Sequence, residues 1–275
     1  MRIINSVAAT AVALFLAAAP AEAAPTTYSA TQSTIKYSKT STAASGWGNF
    51  TRATSTVVYD PVAGTYTVRD TGSVTATSTF GPSNISSTNA NFTTYSKPGT
   101  GTTETLRVLN SGAPLISLSY VDYGQWRRTS TASGTTSVND TYVVFGTKSP
   151  SSAVSSGTGT YSTIVDGTFV NKTGSYSVSG TGTFNADFLA GSINYSTTAS
   201  ATPETSGTAF SFGTMTGTGS IATASASFKG TGVTNGSGYA MDVAGNFYGP
   251  TAQEVGGTFR IRGNNGNGTG VIVGN

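Results

Sequence analysis

The sequence has no cysteine and no histidine, and only 9% of its 275 residues are charged. Without cysteine there is no disulfide framework, and no thiolate for chemistry or for lipid attachment, so the chain is not expected to be a lipoprotein. Without histidine, the Ser-His-Asp triad, the Cys-His pair, His-based zinc sites and histidine haem ligation all drop out. Carboxylates, lysines, tyrosines and backbone are what remain for chemistry. Helix formers such as Leu, Lys and Glu are scarce, and no segment past the N-terminus has helical period. Past that point nothing is long and apolar enough to span a bilayer either, which argues against a transmembrane anchor.

The formal net charge is +3. From Ala24 to Pro150 there are nine Lys or Arg against five Asp or Glu, and beyond Pro150 four against five. A basic excess this small is far from the clustered charge that nucleic acid demands. It is compatible with a weakly basic binding face in the first half.

The N-terminus carries its own signals. Arg2 precedes an apolar run, Val7 to Ala19, that is too short to cross a membrane, and Ala21-Glu22-Ala23 follows as a small-x-small cleavage site. Residues 1–23 are expected to be a signal peptide, so the mature chain begins at Ala24 and is exported to the periplasm, cell surface or medium.

Ser, Thr and Gly dominate the mature chain, but Tyr and Phe, at 13 each, recur inside period-two runs, which disordered tracts lack. Thr54 to Asp70 reads as two strands around a turn at Asp60–Gly64, and Pro114 to Arg128 as a strand with Ile116, Leu118 and Tyr120 on one face. Small polar residues take over from Gly146 to Thr160, placing a domain boundary near Ser151. Beyond it lie eight short strand-like runs with turn signals between them, the pattern of an up-and-down barrel. The expected fold is all-β: a first domain of strands over 24–150 and an eight-stranded antiparallel barrel over 151–275.

Near the C-terminus stands Gly245-Asn-Phe-Tyr-Gly-Pro-Thr-Ala-Gln-Glu-Val-Gly-Gly-Thr-Phe259. This run resembles the signature of the β-barrel domain of the transferrin-binding protein B family through Gly245, Phe247, Tyr248, Gly249, Pro250, Ala252, Glu254, Gly256, Gly257 and Phe259. Gly182 to Ser196 is similar to a strand pair of that family, and Leu118 to Trp126 to a segment of the domain before the barrel. The resemblance implies a "handle" domain followed by one barrel, in an exported bacterial protein that binds a ligand. Such ligands include transferrin, lactoferrin or haem, passed to an outer-membrane transporter. Two departures stand out: the family's anchoring cysteine is missing, and there is one lobe where the family's namesake has two.

Within the motif, Glu254 could be a catalytic acid, but a general acid needs a partner, and the local candidate, Asp242, lies about a dozen residues back. The simpler reading is structural. Phe247 and Tyr248 end a strand at Gly249-Pro250, one helical turn spans Thr251 to Glu254, the Glu254 carboxylate accepts backbone donors within that turn, and Gly256-Gly257 reverses the chain with positive φ. For binding, Trp126 with Arg127 and Arg128, and Trp47 between glycines, are the aromatic and guanidinium groups that dominate interface energetics. Tyr120 and Tyr123 are candidate haem ligands, as tyrosinate is elsewhere. Each of these also reads as strand core or solvated face. No resident cofactor or metal is expected. The reading is a monomeric, non-enzymatic, exported ligand-binding protein for iron, haem or another nutrient; the alternative is a structural surface protein or adhesin.

Overall fold

The computed structural model describes residues 23–275 apart from 41–43, 73–74, 206, 235–236 and 264. All but one residue of the expected signal peptide therefore lies outside the described residues. The chain is all-β. Its first half is one antiparallel sheet of β1 (Thr26–Lys39), β2 (Ala44–Asp60), β3 (Thr65–Asp70), β4 (Ala76–Phe80), β5 (Ile85–Thr88), β6 (Phe92–Gly99), β7 (Thr102–Leu109), β8 (Val121–Ala132) and β9 (Thr135–Gly146). The second half is β10 (Thr158–Asn171), β11 (Gly174–Asp187), β12 (Ser192–Pro203), β13 (Phe210–Ala222), β14 (Ser227–Thr234), β15 (Ala240–Tyr248), β16 (Glu254–Gly263) and β17 (Gly266–Gly274). These eight strands pair in chain order and close into a barrel.

The barrel follows from its alternation. On β11, Tyr176, Val178, Phe184 and Ala186 point inward, while Ser177, Ser179, Thr181 and Thr183 point to solvent. This is the reverse of a lipid-facing barrel, where apolar residues face outward. The interior is filled by rings rather than left as a channel, with Phe169 against Phe212 at 5.2 Å and Phe184 against Phe228 at 4.8 Å between centroids. Two of its buried phenols are satisfied by backbone, Tyr161 Oη donating to the Ala252 carbonyl at 2.6 Å and Tyr195 Oη to that of Met241 at 2.9 Å, and two by side chains, Tyr176 by Thr173 and Tyr239 by Asn265. Closure joins β10 to β17, where Gly167 faces Gly270. A Cβ on Gly270 would stand 2.1 Å from the Asp166 carbonyl, so the strands coil this tightly only because both residues are glycine.

The first sheet runs β4-β3-β2-β1-β9-β8-β7-β6-β5 and curls until its edges approach each other. The turn Pro82–Asn84 links β4 to β5, and Lys97 of β6 reaches across, its Nζ donating to Ser78 Oγ at 2.9 Å and lying over the Phe80 ring. One face lines the inside of the curl with Val57, Phe80, Trp126, Val143 and Phe145. The other face packs on the barrel, Tyr123, Tyr142 and Val144 meeting Ile164, Tyr248, Val271 and Val273, and Ile35 and Val138 meeting Val170. Both faces of β1, β8 and β9 are thus covered. One expected strand is shorter than its sequence implied. Residues 110–120 are irregular and β8 begins at Val121, because Pro114 interrupts the run and the amides just before β8 are taken by a side chain of the barrel, described next.

Candidate functional site

The chain reverses between β15 and β16 at Gly249–Gln253, with Gly249 at φ 84° and Ala252 at φ 58°. The expected reversal at Gly256-Gly257 is therefore corrected: both glycines lie within β16, opposite Asn246 and Gly245, and neither has positive φ. Glycine is required at 256 by close approach, since a Cβ there would sit 2.7 Å from Val121 Cγ2 and 2.8 Å from Val144 Cγ1 across the seam. The expected helical turn over Thr251–Glu254 is a tighter turn after Tyr248, closed by Ala252 N–H on the Gly249 carbonyl, and Glu254 is the first residue of β16. Pro250 sits in that turn, and Phe247 and Tyr248 are wholly buried.

Glu254 is 4% exposed, and its carboxylate does accept backbone N–H groups, but not those of its own turn. The donors are Ser119 at 2.6 Å, Tyr120 at 2.8 Å and Val121 at 2.8 Å, from the other half of the molecule. Three successive amides aimed at one carboxylate form an anion-binding concavity, here occupied by the protein itself. Asp242, the partner a catalytic reading would need, is instead held by Arg260 at 3.1 Å and Arg262 at 2.9 Å.

The residues expected as binding anchors are corrected by burial and pairing. Trp126 is 0% exposed, inside the curl, so it presents no surface to a ligand. Arg128, two residues on and on the same face, lies 4.3 Å over the Trp126 ring and pairs with buried Asp70. Arg127 points the other way, into the seam, where it bridges Asp140 and Glu204, each at 2.5 Å. Burial works against its charge, yet Asp140, Tyr37 and Glu204 together raise its pKa above the ordinary guanidinium value. Asp140 also accepts from Thr168 Oγ1 at 2.7 Å. Tyr123 is 1% exposed, and its phenol donates to Asp166 at 3.1 Å, beside Arg107, whose Nη2 meets both Asp166 oxygens at 2.8 Å. A phenol enclosed in this way cannot reach a haem iron. The side chain of Trp47 lies outside the described residues.

The structure assembles two features that the sequence reading missed. The first is a basic face where the curled sheet meets the barrel. Arg52 of β2 donates to Thr258 Oγ1 at 3.2 Å and to the Thr258 carbonyl at 3.0 Å. Beside it stand Arg260 and Arg262 of β16, each with its guanidinium 5.2 Å from the centre of the Phe50 ring. Burial, then the charge of Arg260, lowers the Arg52 pKa to about 10, against the pull of Asp242. Arg262 is 48% exposed at its side chain, and Lys229 borders the same hollow as Arg52 and Arg260. Spacing gave half of this: Phe50 and Arg52, like Arg260 and Arg262, are two apart and so share a strand face. Their meeting across some 200 residues left no local mark. The second is a pocket at one end of the curl, bordered by Tyr28, Tyr59, Tyr66, Tyr120, Asp122 and Phe145.

The family model describing the C-lobe and N-lobe beta barrels of Tf-binding protein B matches residues 123–275. No curated protein matches the sequence. Among solved structures, a double mutant of transferrin binding protein B from Haemophilus parasuis Hp5 is similar at 12% identity, over 92% of this chain and 76% of that one, with a TM-score of 0.44. Isotype 1 transferrin binding protein B from serogroup B Neisseria meningitidis is 20% identical over 88% of this chain and 42% of its own, with a TM-score of 0.46. The N-lobe domain of lactoferrin binding protein B from Moraxella bovis is 13% identical, over 88% of this chain and 99% of that one, with a TM-score of 0.37. The family match takes in every strand of the barrel and more than half of the sequence, so the chain belongs to the family of Tf-binding protein B β-barrels.

Proposed function

We propose that this chain is an exported, surface-associated ligand-binding protein rather than an enzyme, and that it captures an iron source for uptake. The iron source in this reading is a host iron-carrying protein or haem, delivered to an outer-membrane transporter. The carrying observation is the basic, aromatic face of Phe50, Arg52, Arg260 and Arg262, where three guanidiniums and one ring surround a single carboxylate. Arginine and aromatic side chains supply most of the energy in protein recognition, and excess charge at a rim speeds encounter. The handle and barrel are clamped together by Glu254, Arg107 and Arg127, so a ligand meets this face pre-arranged, with little ordering left to do on binding.

The test is capture by the immobilised mature protein of iron-loaded transferrin, of lactoferrin and of haemin, for the natural chain and for an Arg260→Glu, Arg262→Glu double variant. One of the three is expected to bind, with a loss of ten-fold or more in the variant and a deficit that shrinks as salt rises. Undiminished capture by a variant that still melts cooperatively would remove the face from the reading. Capture of none of the three, together with adherence of the protein to cells or matrix, would replace the reading with a structural adhesin.

A further inference from the structure

The pocket at the open end of the curled sheet has a volume of about 220 Å³. Its aromatic wall is continuous: the Tyr28 ring lies 5.8 Å from Phe145, Phe145 lies 6.5 Å from Tyr66, and Tyr66 lies 4.7 Å from Tyr59. Asp122 borders the same space. One of its oxygens accepts the Tyr123 N–H at 2.7 Å, and the other has no protein partner among the described residues. No Lys or Arg lines the pocket, and Asp122 enters no ion pair among the described residues.

Two groups of the wall are shifted, both in the same direction. Burial pushes the Asp122 carboxyl up to about 7, resisted only by the Tyr123 N–H. Burial, then the Asp122 charge, raises the Tyr66 phenol, and the other phenols around it add to the effect. Asp122 and Tyr66 are both penalised for carrying negative charge, as expected in a cavity lined by no cation of its own. The volume is below the roughly 300–1,000 Å³ of pockets for drug-sized ligands, so a porphyrin does not fit, and an anion would find no cationic side chain in the lining.

We infer that this pocket binds a small organic ammonium ion, its charge held against the faces of Tyr28, Tyr59, Tyr66 and Phe145, with Asp122 as counter-ion. Cations packed on aromatic faces gain most when desolvated, and a quaternary or alkylated ammonium loses little hydration on entering. The site is separate from the arginine face and stands whether or not that face binds a protein.

The experiment is calorimetric and thermal-shift titration of the full mature protein with choline and tetramethylammonium, with the uncharged choline isostere 3,3-dimethylbutanol alongside. The ammonium probes are expected to bind and raise Tm, and the isostere is expected to do neither. Asp122→Asn is expected to weaken choline at least ten-fold, and Tyr66→Leu to do so independently. Tyr66→Phe, which keeps the ring, is expected to retain binding, and a cooperative melt of Tyr66→Leu itself shows that its loss is not a failure to fold. Affinity is expected to rise between pH 5 and 8 as Asp122 loses its proton, while the phenol of Tyr66 stays neutral. Equal binding of the isostere, choline affinity untouched by Asp122→Asn, or no response to either ammonium probe would each overturn the inference. So would an Asp122-dependent shift produced by a metal salt and not by choline.

Discussion

The two halves are built from the same Ser-, Thr- and Gly-rich strands, yet they hold together differently. The barrel closes on itself, buries rings, and satisfies its interior phenols with its own carbonyls and side chains. The curled sheet stays open and buries charge. Asp70, wholly enclosed, receives Arg128, the Gln32 amide, Thr141 Oγ1 at 3.3 Å and the Gly72 N–H at 2.9 Å. Its outer face depends on the barrel for cover. Closure pairs every strand edge. An open sheet must find other means, here a buried polar network inside and a partner outside. The barrel is thus expected to be the more self-sufficient half, and the sheet the more dependent one.

Cutting the chain tests this contrast most severely. A fragment of residues 157–275 is expected to keep strand circular dichroism and a cooperative melt. Uncovering Ile164, Val170, Tyr248, Val271 and Val273 would still cost it about 5 kcal/mol or more of apolar burial. A fragment of residues 24–150 leaves Asp140 and Arg127 without Thr168 and Glu204, and is expected to show no cooperative transition. Two fragments that melt alike would end the comparison.

Next in size is the seam. Asp140→Ala leaves Arg127 with Glu204 alone and removes an acceptor of Thr168, so a loss of about 3 kcal/mol in denaturant unfolding is expected, the lower end for a broken buried pair. Glu254→Gln replaces a three-amide acceptor by a group whose nitrogen faces donors. About 2–3 kcal/mol is expected, with faster hydrogen exchange at Ser119, Tyr120 and Val121 as the local readout. A loss confined to the barrel, with those amides still protected, would contradict the clasp.

The sequence disclosed these arrangements unevenly. The barrel strands were legible because inward rings alternate with outward Ser and Thr, as on β11. The cluster of Trp126, Arg127 and Arg128 was legible, but alternation on a strand puts Arg127 on the opposite face from the other two and does not say which side meets solvent. At these positions neither does fully, because one face lines the curl and the other abuts the barrel. That is why conspicuous surface anchors turned out to be core and seam. Glu254 was legible as an acceptor of backbone amides. Its donors were not, since they lie 133 to 135 residues away and leave no local trace. The two glycines at 256 and 257 suggested a turn by type, while their cause is close approach: of Gly256 to Val121 and Val144 across the seam, and of Gly257 to the Ala244 carbonyl on the neighbouring strand.

Gly256→Val follows from that approach. The added side chain meets Val121 and Val144 at under 3 Å, and overpacking of this kind is expected to cost about 2–3 kcal/mol. Gly249→Ala, at positive φ, strains the turn instead, and its Cβ would meet Gln253 and Tyr120 side chains. The two separate by a fragment test: in the isolated barrel the Gly256→Val penalty is expected to shrink to less than half, because the two tightest neighbours, Val121 and Val144, belong to the sheet and only Tyr248, at 3.1 Å, remains. A penalty undiminished in the fragment would place the strain within the barrel.

The smallest effect expected is a gain, and it sits at the open end of the curl. Asp122 has its carboxyl raised to about 7 by burial, so the folded protein holds this proton more tightly than the unfolded chain, whose carboxyl titrates near 4. The folded state is favoured by this group below about pH 4 and loses that advantage progressively as pH rises to about 7. Asn keeps an oxygen for the Tyr123 N–H without the charge. Asp122→Asn is therefore expected to match the natural chain near pH 4 and to be more stable by about 1–2 kcal/mol at pH 8, reduced from the full linkage value because the carboxylate borders solvent in the pocket. The facing phenol of Tyr66 is raised rather than lowered, and leaves this window to Asp122 alone. The measurement is the difference in unfolding free energy between the two chains across pH 4 to 8. A flat difference, or one that grows on acidification, would contradict the burial of the charge. With choline present the order is expected to reverse at pH 8, since only the natural chain offers the counter-ion. A carboxylate that lowers stability until a cation arrives is what distinguishes a binding pocket from the barrel's filled interior.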